Sequence, residues 1–173
     1  NPSPIKSVAK SQKIVVIASG NQIYSLSAKD GSELWRRKLE SDIQSIDVDN
    51  DSLTIGTSDS IISLNNDGDI EKRISTREEV RKVASISKGD IVALTSNNVK
   101  IYNPELRQTS SRDINSSINH FDFSKSGHGY LTTDQTVYKI APEGEENLRE
   151  YNTSVKIFGA DNSVLDAISA DLD

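Results

Sequence analysis

The chain of 173 residues carries a formal net charge of −6, and 34% of its residues are hydrophobic and 5% aromatic. This length is enough for one domain with a proper core but too short for two large ones. The net negative charge argues against a nucleic acid as the main partner, because binding a phosphate backbone needs a basic face. The sequence has no long uninterrupted apolar run, so it predicts no membrane span.

Two residue types are absent from the sequence. Because there is no cysteine, disulfides, zinc–thiolate sites and thiol nucleophiles are excluded. Methionine is absent too, even at position 1, which favours a processed mature protein or an excised domain. N-x-S/T sequons occur at Asn50, Asn115 and Asn152. Several are expected by chance in a chain rich in Ser and Asn, so they carry no information about secretion.

A short apolar run recurs along the chain at a constant spacing. Its copies begin at Ile23, Ile61, Val99 and Val137, so the residue number rises by 38 each time. We call this spacing the repeat step. A second series of runs, just upstream of the first, keeps nearly the same step. Coincident units at one spacing indicate an internal repeat.

Each repeat contains four strand-like runs. In chain order these are IKSVA, KIVVIAS, QIYSLS and ELWRRKL; IQSIDV, SLTIGTS, IISLN and IEKRIS; RKVASI, IVALTS, VKIYN and LRQTSSRDI; and INHFDFS, GYLTTD, TVYKIA and a longer PEGEENLREY. Short runs rich in Val, Ile, Thr and Tyr between Gly, Asn and Asp are typical of β-strands. Asp-Gly pairs at 30–31 and 67–68 supply the positive-φ residues that tight hairpins need.

Four strands in every repeat step predict one blade of a β-propeller per repeat. The predicted fold is all-β, a β-propeller or propeller fragment of four-stranded repeats, in a single domain 1–173. Its units are approximately 5–41, 42–79, 80–116 and 117–153. Counting on by the same step predicts part of a fifth unit at 154–173, with SVKIFG as its first strand and SVLDAIS as its second. A leucine-rich repeat has a shorter period, and no window shows the periodicity of a helical repeat.

The stretch IYSLSAKDGSELWRRKL in the first unit resembles the PQQ-like (quinoprotein-like) propeller repeat. The matching residues are Ala28, Asp30, Gly31 and Trp35. The resemblance implies that Trp35 docks between adjacent blades; in the second unit Glu71 and Lys72 stand near the corresponding place. The third and fourth units, which lack both this Gly and the Trp, are similar to WD-type repeats, for example NHFDFSKSGHGYLTTDQTVYKIA in the fourth. PQQ-like arrays are commonly extracytoplasmic or in the secretory lumen and WD-type arrays cytoplasmic, so the location stays open, with the former slightly favoured.

The two histidines do not form a convincing catalytic group. His120 lies in a strand-like run and His128 in the turn that follows it, with Asp122 and Ser124 nearby. A strand–turn segment does not bring Ser124, Asp122 and His128 together with an oxyanion hole, and no Gly-x-Ser-x-Gly elbow is present. We interpret these residues as turn and strand-end polar groups.

Two acidic turns have spacings close to that of a calcium loop. These are DNDS at 49–52 and NNDGD at 65–69. An EF-hand needs a Glu at position 12; counted from Asn50 and Asn66, that position holds Ile61 and Arg77 instead. They are predicted to be hairpin turns. The sequence therefore predicts no catalytic, cofactor-binding or metal-binding residue, and no cofactor.

The sequence favours a non-enzymatic protein-interaction scaffold, since propeller loops form a rigid recognition face. The alternative is a small-ligand or quinone-binding propeller, an enzyme fragment of the quinoprotein type, which the PQQ-like resemblance implies. A carbohydrate-binding propeller would expose aromatic residues once per blade. Tyr24, Tyr102 and Tyr138 recur in the first, third and fourth units, but at core-like strand positions, so we expect them to pack between blades.

The ends of the repeat array are expected to need a partner. Four and a half blades do not make an ordinary closed ring, and open ends expose apolar strand faces. Four lysines and no acid lie in residues 1–29, whereas four aspartates and no base lie in 160–173. These opposite charges favour head-to-tail contact. We expect completion by another chain or domain, a homodimer being the simplest case; a self-closed ring and a further part of a parent protein are the alternatives.

Overall fold

The structure is a computed structural model that describes residues 3–49, 52–86, 89–114, 116–123, 129–133, 136–140 and 148–151. These residues form sixteen strands and four antiparallel sheets. The first sheet contains β1 (Ile5–Lys10), β2 (Ile14–Ser19), β3 (Gln22–Ser27) and β4 (Glu33–Lys38). The second contains β5 (Ile43–Asp49), β6 (Ser52–Thr57), β7 (Ser60–Leu64) and β8 (Ile70–Ser75). The third contains β9 (Lys82–Ser85), β10 (Ile91–Leu94), β11 (Asn98–Tyr102) and β12 (Gln108–Asp113). The fourth contains β13 (His120–Phe123), β14 (Gly129–Thr132), β15 (Val137–Ile140) and β16 (Leu148–Tyr151).

Within every sheet the strands pair in chain order, so each sheet is a simple antiparallel meander. Neighbouring sheets then pack face to face. One apolar cluster joins the first and second sheets, a second joins the second and third, and a third joins the third and fourth. The first strands lie closest together, because β1 contacts β5 and β5 contacts β9. Successive four-stranded meanders that pack face to face around their first strands are the blades of a β-propeller, which confirms the predicted fold class.

The repeat step is visible in the irregularities of the sheets as well as in their strands. A β-bulge shifts the pairing of the third and fourth strands at Ser25/Leu26, at Ser63/Leu64 and at Ile101/Tyr102. Another bulge occurs at Ile5/Ser7 in β1 and at Ile43/Ser45 in β5. A bulge adds local twist to a strand, so the first three blades share a local twist as well as a strand order.

Burial follows the order of the strands within a blade. The second strands carry the core: in β6 and β10 nearly every residue is buried. The fourth strands β4, β8 and β12 are largely exposed and rich in charge and hydroxyl groups, as expected of a solvent-facing sheet edge. No helix in the described part of the chain is long and apolar enough to cross a membrane.

The turns between the third and fourth strands have the predicted backbone geometry. Gly31 and Gly68 both lie in the left-handed region, at φ 74° and 82°. In the third blade the corresponding residue is Leu106, at φ 58°, and its side chain is buried. The predicted fifth unit at 154–173 lies outside the described residues.

Candidate interaction site

Serine hydroxyls join the first strands of the first three blades. Ser7 Oγ accepts a hydrogen bond from the Ile46 backbone N–H at 3.3 Å, and Ser45 Oγ accepts one from Val83 N–H at 3.2 Å. Ser7, Ser45 and Val83 follow one another at the repeat step. Valine has no hydroxyl, so the third blade cannot join the fourth in the same way.

A lysine joins the third and fourth blades instead. Lys82 Nζ donates to the Phe121 carbonyl oxygen at 2.6 Å and lies 5.4 Å from the centre of the Phe121 ring. The contact between β9 and β13 is much less extensive than that between the other neighbouring first strands. The lysine therefore spans a gap between the two blades.

The gap between the third and fourth blades is a cleft of about 220 Å³. Its basic side chains are Arg81, Lys82 and His120, and its apolar residues are Leu94, Ile118 and Phe121. Leu94, Ile118 and Phe121 are buried, whereas the three basic residues are exposed. The cleft thus has an apolar floor and a basic rim. Its volume is below the roughly 300–1,000 Å³ of sites for drug-sized ligands.

A carboxylate close to the cleft is already paired. Glu78 forms an ion pair with Lys100, with 3.1 Å between Oε1 and Nζ. A hydrogen bond from Thr95, which also lines the cleft, lowers the pKa of the Glu78 carboxyl, and Lys100 lowers it further. The pKa of the neighbouring Tyr102 is raised, first by burial and then by the charge of Glu78. Because the negative charge of Glu78 is paired with Lys100, it does not neutralise the positive charge of the basic rim.

Trp35 joins the outer parts of the first two blades, as the PQQ-like resemblance implies. Its indole Nε1 donates to the Asn66 carbonyl oxygen at 2.6 Å. A Cβ atom placed on Gly68 would lie 2.8 Å from Trp35 Cδ2, so the ring lies directly on that glycine. Trp35 is half-buried and packs against the apolar cluster of the first two sheets.

Lys72 makes the equivalent contact one blade later. It pairs with Ser63 as Trp35 pairs with Ser25. Its Nζ donates to the Pro104 carbonyl oxygen at 2.7 Å, and Pro104 follows Asn66 by one repeat step. Trp35 and Lys72 therefore make the same kind of contact in successive blades: each donates a hydrogen bond to a turn carbonyl of the next blade.

One face of the first blade is exposed. Ile5 and Val8 in β1 are 64% and 59% exposed, whereas Ile43 and Ile46, at the same repeat positions in β5, are 0% and 5% exposed. In the second strands Ile17 is half-buried, and its equivalents Ile55, Ala93 and Leu131 are buried. The equivalents in the first blade of the residues that contact the preceding blade elsewhere have no such contact within the described part of the chain. We call the surface formed by Ile5, Val8, Val15 and Ile17 the open face.

The opposite side of the array is exposed at the matching position. Tyr130 in β14 is 49% exposed, whereas Val16, Thr54 and Val92, at the same repeat position, are buried. Tyr130 therefore lies on the side that each earlier blade buries against its successor.

Of the residues weighed for catalysis, the structure describes two, His120 and Asp122. His120 lies in the cleft, and Asp122 is exposed and accepts a hydrogen bond from the Phe123 N–H. Ser124 and His128 lie outside the described residues. Within the described ranges, no cluster of three or more His, Cys, Asp or Glu residues could hold a metal ion.

The acidic turn at 65–69 is a hairpin turn, as expected. Asn65 Oδ1 accepts hydrogen bonds from the Asp67 and Asp69 backbone N–H groups, so this side chain caps the turn. Of the turn at 49–52, residues 50 and 51 lie outside the described part of the chain.

The three tyrosines expected to pack between blades, Tyr24, Tyr102 and Tyr138, differ in burial. Tyr102 and Tyr138 are buried in apolar clusters between blades, which agrees with the expected packing role. Tyr24 is half-buried and donates to Gln22 Oε1. It lies in the first blade, whose open face has no neighbouring sheet in the described part of the chain.

Sequence reasoning missed the cleft. The available signal was the departure of the third unit from the repeat: Ile5 and Ile43 are followed at the same step by Arg81 and then Asn119, and Ser7 and Ser45 by Val83. What the repeat could not show is that the altered residues of two blades face one gap.

Comparison with solved structures identifies the class of fold. The chain is similar to the computationally designed Ika8 protein (TM-score 0.75, 17% identity, covering 87% of this chain and 49% of that one). It is also similar to the β-propeller domain of Myceliophteria thermophila Cps50 (Swd1) (TM-score 0.70, 12% identity, 86% and 58% covered) and the WD40 domain of Neurospora crassa Pan2 (TM-score 0.69, 12% identity, 87% and 50% covered).

These neighbours establish the β-propeller fold. The chain spans about half the length of these structures. No family model and no curated protein matches the sequence. The likeness supports the WD-type resemblance in fold and does not show the PQQ-like one.

Proposed function

We propose that this chain is a non-enzymatic protein-interaction scaffold whose propeller is completed by another chain or domain, with a second copy of itself as the simplest partner. The observation that carries this proposal is the exposure of Ile5 and Val8 against the burial of Ile43 and Ile46 at the same repeat positions. A repeat unit buries its apolar face only against a neighbour, so the open face is a surface for another blade.

The energetic gain from covering the open face is substantial. Full burial of an Ile or Val side chain contributes about 1.5–3 kcal/mol. Ile5 and Val8 are more than half exposed, so the two together would contribute about 2–4 kcal/mol on being covered. The half-buried Val15 and Ile17 add to this.

Charge near the open face supports an acidic partner surface. Lys6 and Lys10 lie in β1 beside Ile5 and Val8, and both are exposed. The four aspartates of 160–173 would complement them in a head-to-tail dimer; these residues lie outside the described part of the chain. No feature of the described residues favours the quinone-binding alternative.

Light scattering coupled to size exclusion, at micromolar protein and at low and high salt, tests the proposal. We expect a dimer that weakens at high salt, because screening reduces the lysine contribution. The double variant Ile5→Lys with Val8→Lys should be monomeric. Ile70→Lys, which alters an exposed isoleucine of β8 away from the open face, serves as the control and should remain dimeric. A wild-type monomer with protected β1 amides would refute completion by another chain and support a self-closed ring.

A further inference from the structure

We propose that the cleft between the third and fourth blades binds an acidic peptide segment of a partner protein, with carboxylate side chains on the basic rim and an apolar side chain on the floor. This goes beyond the scaffold proposal, because the cleft is separate from the open face and its occupation does not depend on how the first blade is covered.

The basic rim results from one pair of repeat positions in two successive blades. Arg81 and Lys82 in the third unit correspond, one repeat step on, to Asn119 and His120 in the fourth. All four residues line the same cleft. Two neighbouring blades therefore place hydrogen-bond donors on both sides of one gap.

The same position is occupied by a packing residue in the second blade. Ile43 precedes Arg81 by one repeat step and is fully buried between the first and second blades. The bulge found in β1 and β5 is also absent here, because β9 and β13 pair with their neighbours in continuous register. At the junction of the third and fourth blades, the residue at the Ile43 position is Asn119. Exposed polar side chains, Arg81 and Asn119, thus replace the packing isoleucine in both blades that border the cleft.

Lys82 is held in position for a ligand. Its ammonium group has three N–H donors. One is used on the Phe121 carbonyl oxygen, and the ammonium group lies over the Phe121 ring. The remaining donors can bind a carboxylate. Within the described ranges, no carboxylate forms an ion pair with Arg81 or Lys82.

The combination of charge and size favours a peptide. A carboxylate is recognised by Arg and Lys through charge-assisted hydrogen bonds, and the buried Leu94, Ile118 and Phe121 offer a contact for one apolar side chain. A cleft of about 220 Å³ holds side chains rather than a large cofactor. The protein has a net charge of −6, and the rim is a local patch, so an extended nucleic-acid backbone is a poorer match.

The experiment begins with a displayed library of short random peptides, selected on the full chain. Selected peptides are synthesised with a fluorescent label, and their affinity is measured by anisotropy for wild type, Arg81→Glu and Arg107→Glu. Arg107 is an exposed arginine in the β11–β12 turn, outside the cleft. Arg107→Glu changes the net charge of the protein by the same amount as Arg81→Glu, so it is a matched control.

We expect the selected peptides to be enriched in Asp and Glu, with one large apolar residue. Arg81→Glu should weaken binding by about tenfold or more, whereas Arg107→Glu should leave it within about twofold. Replacing Asp and Glu in the peptide with Asn and Gln should abolish binding. Selection of peptides without acidic residues, an equal loss in both variants, or tighter binding of a labelled oligonucleotide at the cleft would each overturn the proposal. None of these outcomes depends on the dimer measurement, so the two proposals fail independently.

Discussion

Trp35 lies on the exposed outer strand of the first blade, yet its contacts are with the second. Its indole N–H bonds to the Asn66 carbonyl, and its ring lies on Gly68. The side chain is half-buried rather than buried. Deleting a fully buried Trp costs about 3–5 kcal/mol, so partial exposure reduces the expected loss.

We therefore expect Trp35→Ala to lower the free energy of unfolding by about 2–3 kcal/mol. Arg36→Ala, on the same strand, is the control: the Arg36 side chain is 70% exposed, and its loss should cost at most about 0.5 kcal/mol. Urea denaturation gives both values. A wild-type midpoint for Trp35→Ala together with lost partner binding would show that the ring is a surface anchor instead.

Gly68 provides a sharper test of the same contact. It has φ 82°, and a Cβ atom would lie 2.8 Å from Trp35 Cδ2. Gly31 has a similar φ of 74° but no atom within 4 Å of a Cβ. Gly31→Ala should therefore show the backbone cost alone, about 1–2 kcal/mol. Gly68→Ala should cost more than Gly31→Ala in the wild-type background and about the same in a Trp35→Ala background. If the losses of unfolding free energy from Gly68→Ala and Trp35→Ala simply add in the double variant, the ring does not rest on Gly68.

At the scale of the elements, each pair of neighbouring blades is joined by polar contacts. Serine hydroxyls or Lys82 join the first strands. In the first three blades, Trp35 or Lys72 joins the fourth strand of one blade to the turn before the fourth strand of the next. Glu78, in the segment between β8 and β9, adds an ion pair with Lys100 in β11. The positions of these contacts are repeated although the residue types differ.

The Glu78 contact predicts a dependence of stability on pH. The folded pKa of Glu78 is lowered from its ordinary value of 4.5 by the Thr95 hydrogen bond and by Lys100. A lowered folded pKa means that the unfolded state binds the proton more tightly, so the stabilisation is present above about pH 4.5 and is lost as pH falls through the folded pKa.

Glu78→Gln should therefore be less stable than wild type near neutral pH, and the difference in unfolding free energy should shrink as pH falls from 7 to about 3. Denaturation at a series of pH values measures it, with Glu79→Gln, a change at the exposed neighbouring residue, as the control. A difference that is the same at every pH would show that Glu78 acts through packing alone.

The strands were predictable from the sequence because burial between blades imposes a periodic pattern. The four strand-like runs of each repeat correspond to β1 through β16 within the described part. The Asp-Gly turns were predictable because few residues accept positive φ, although Leu106 holds that geometry in the third blade. The cleft was not predictable, because it depends on how far β13 lies from β9. The contact of Lys72 with Pro104 was not predictable either, because a lysine on an exposed strand has no distinctive sequence pattern.

Across the described blades, apolar or aromatic side chains that are exposed where their repeat equivalents are buried mark two sides of the array, one at each end. The open face presents Ile5 and Val8, and the far side of the fourth blade presents Tyr130. The described blades between them bury the equivalent positions against a neighbour, apart from those that line the cleft. A head-to-tail arrangement of two copies would bring the open face of one copy toward the Tyr130 side of the other.

The accessibility of the open face in solution tests most directly whether a second copy covers it. Because the chain has no cysteine, Val8→Cys introduces a single thiol on that face, and Ile70→Cys introduces one on an exposed site of β8 as the control. The rate of reaction with a thiol reagent is measured over protein concentrations from nanomolar to high micromolar. If a second copy covers the open face, the Val8→Cys thiol becomes at least about tenfold less reactive as concentration rises, while the Ile70→Cys thiol reacts at a constant rate. A Val8→Cys thiol whose reactivity is the same at every concentration, whether fast or slow, would contradict completion by a second copy.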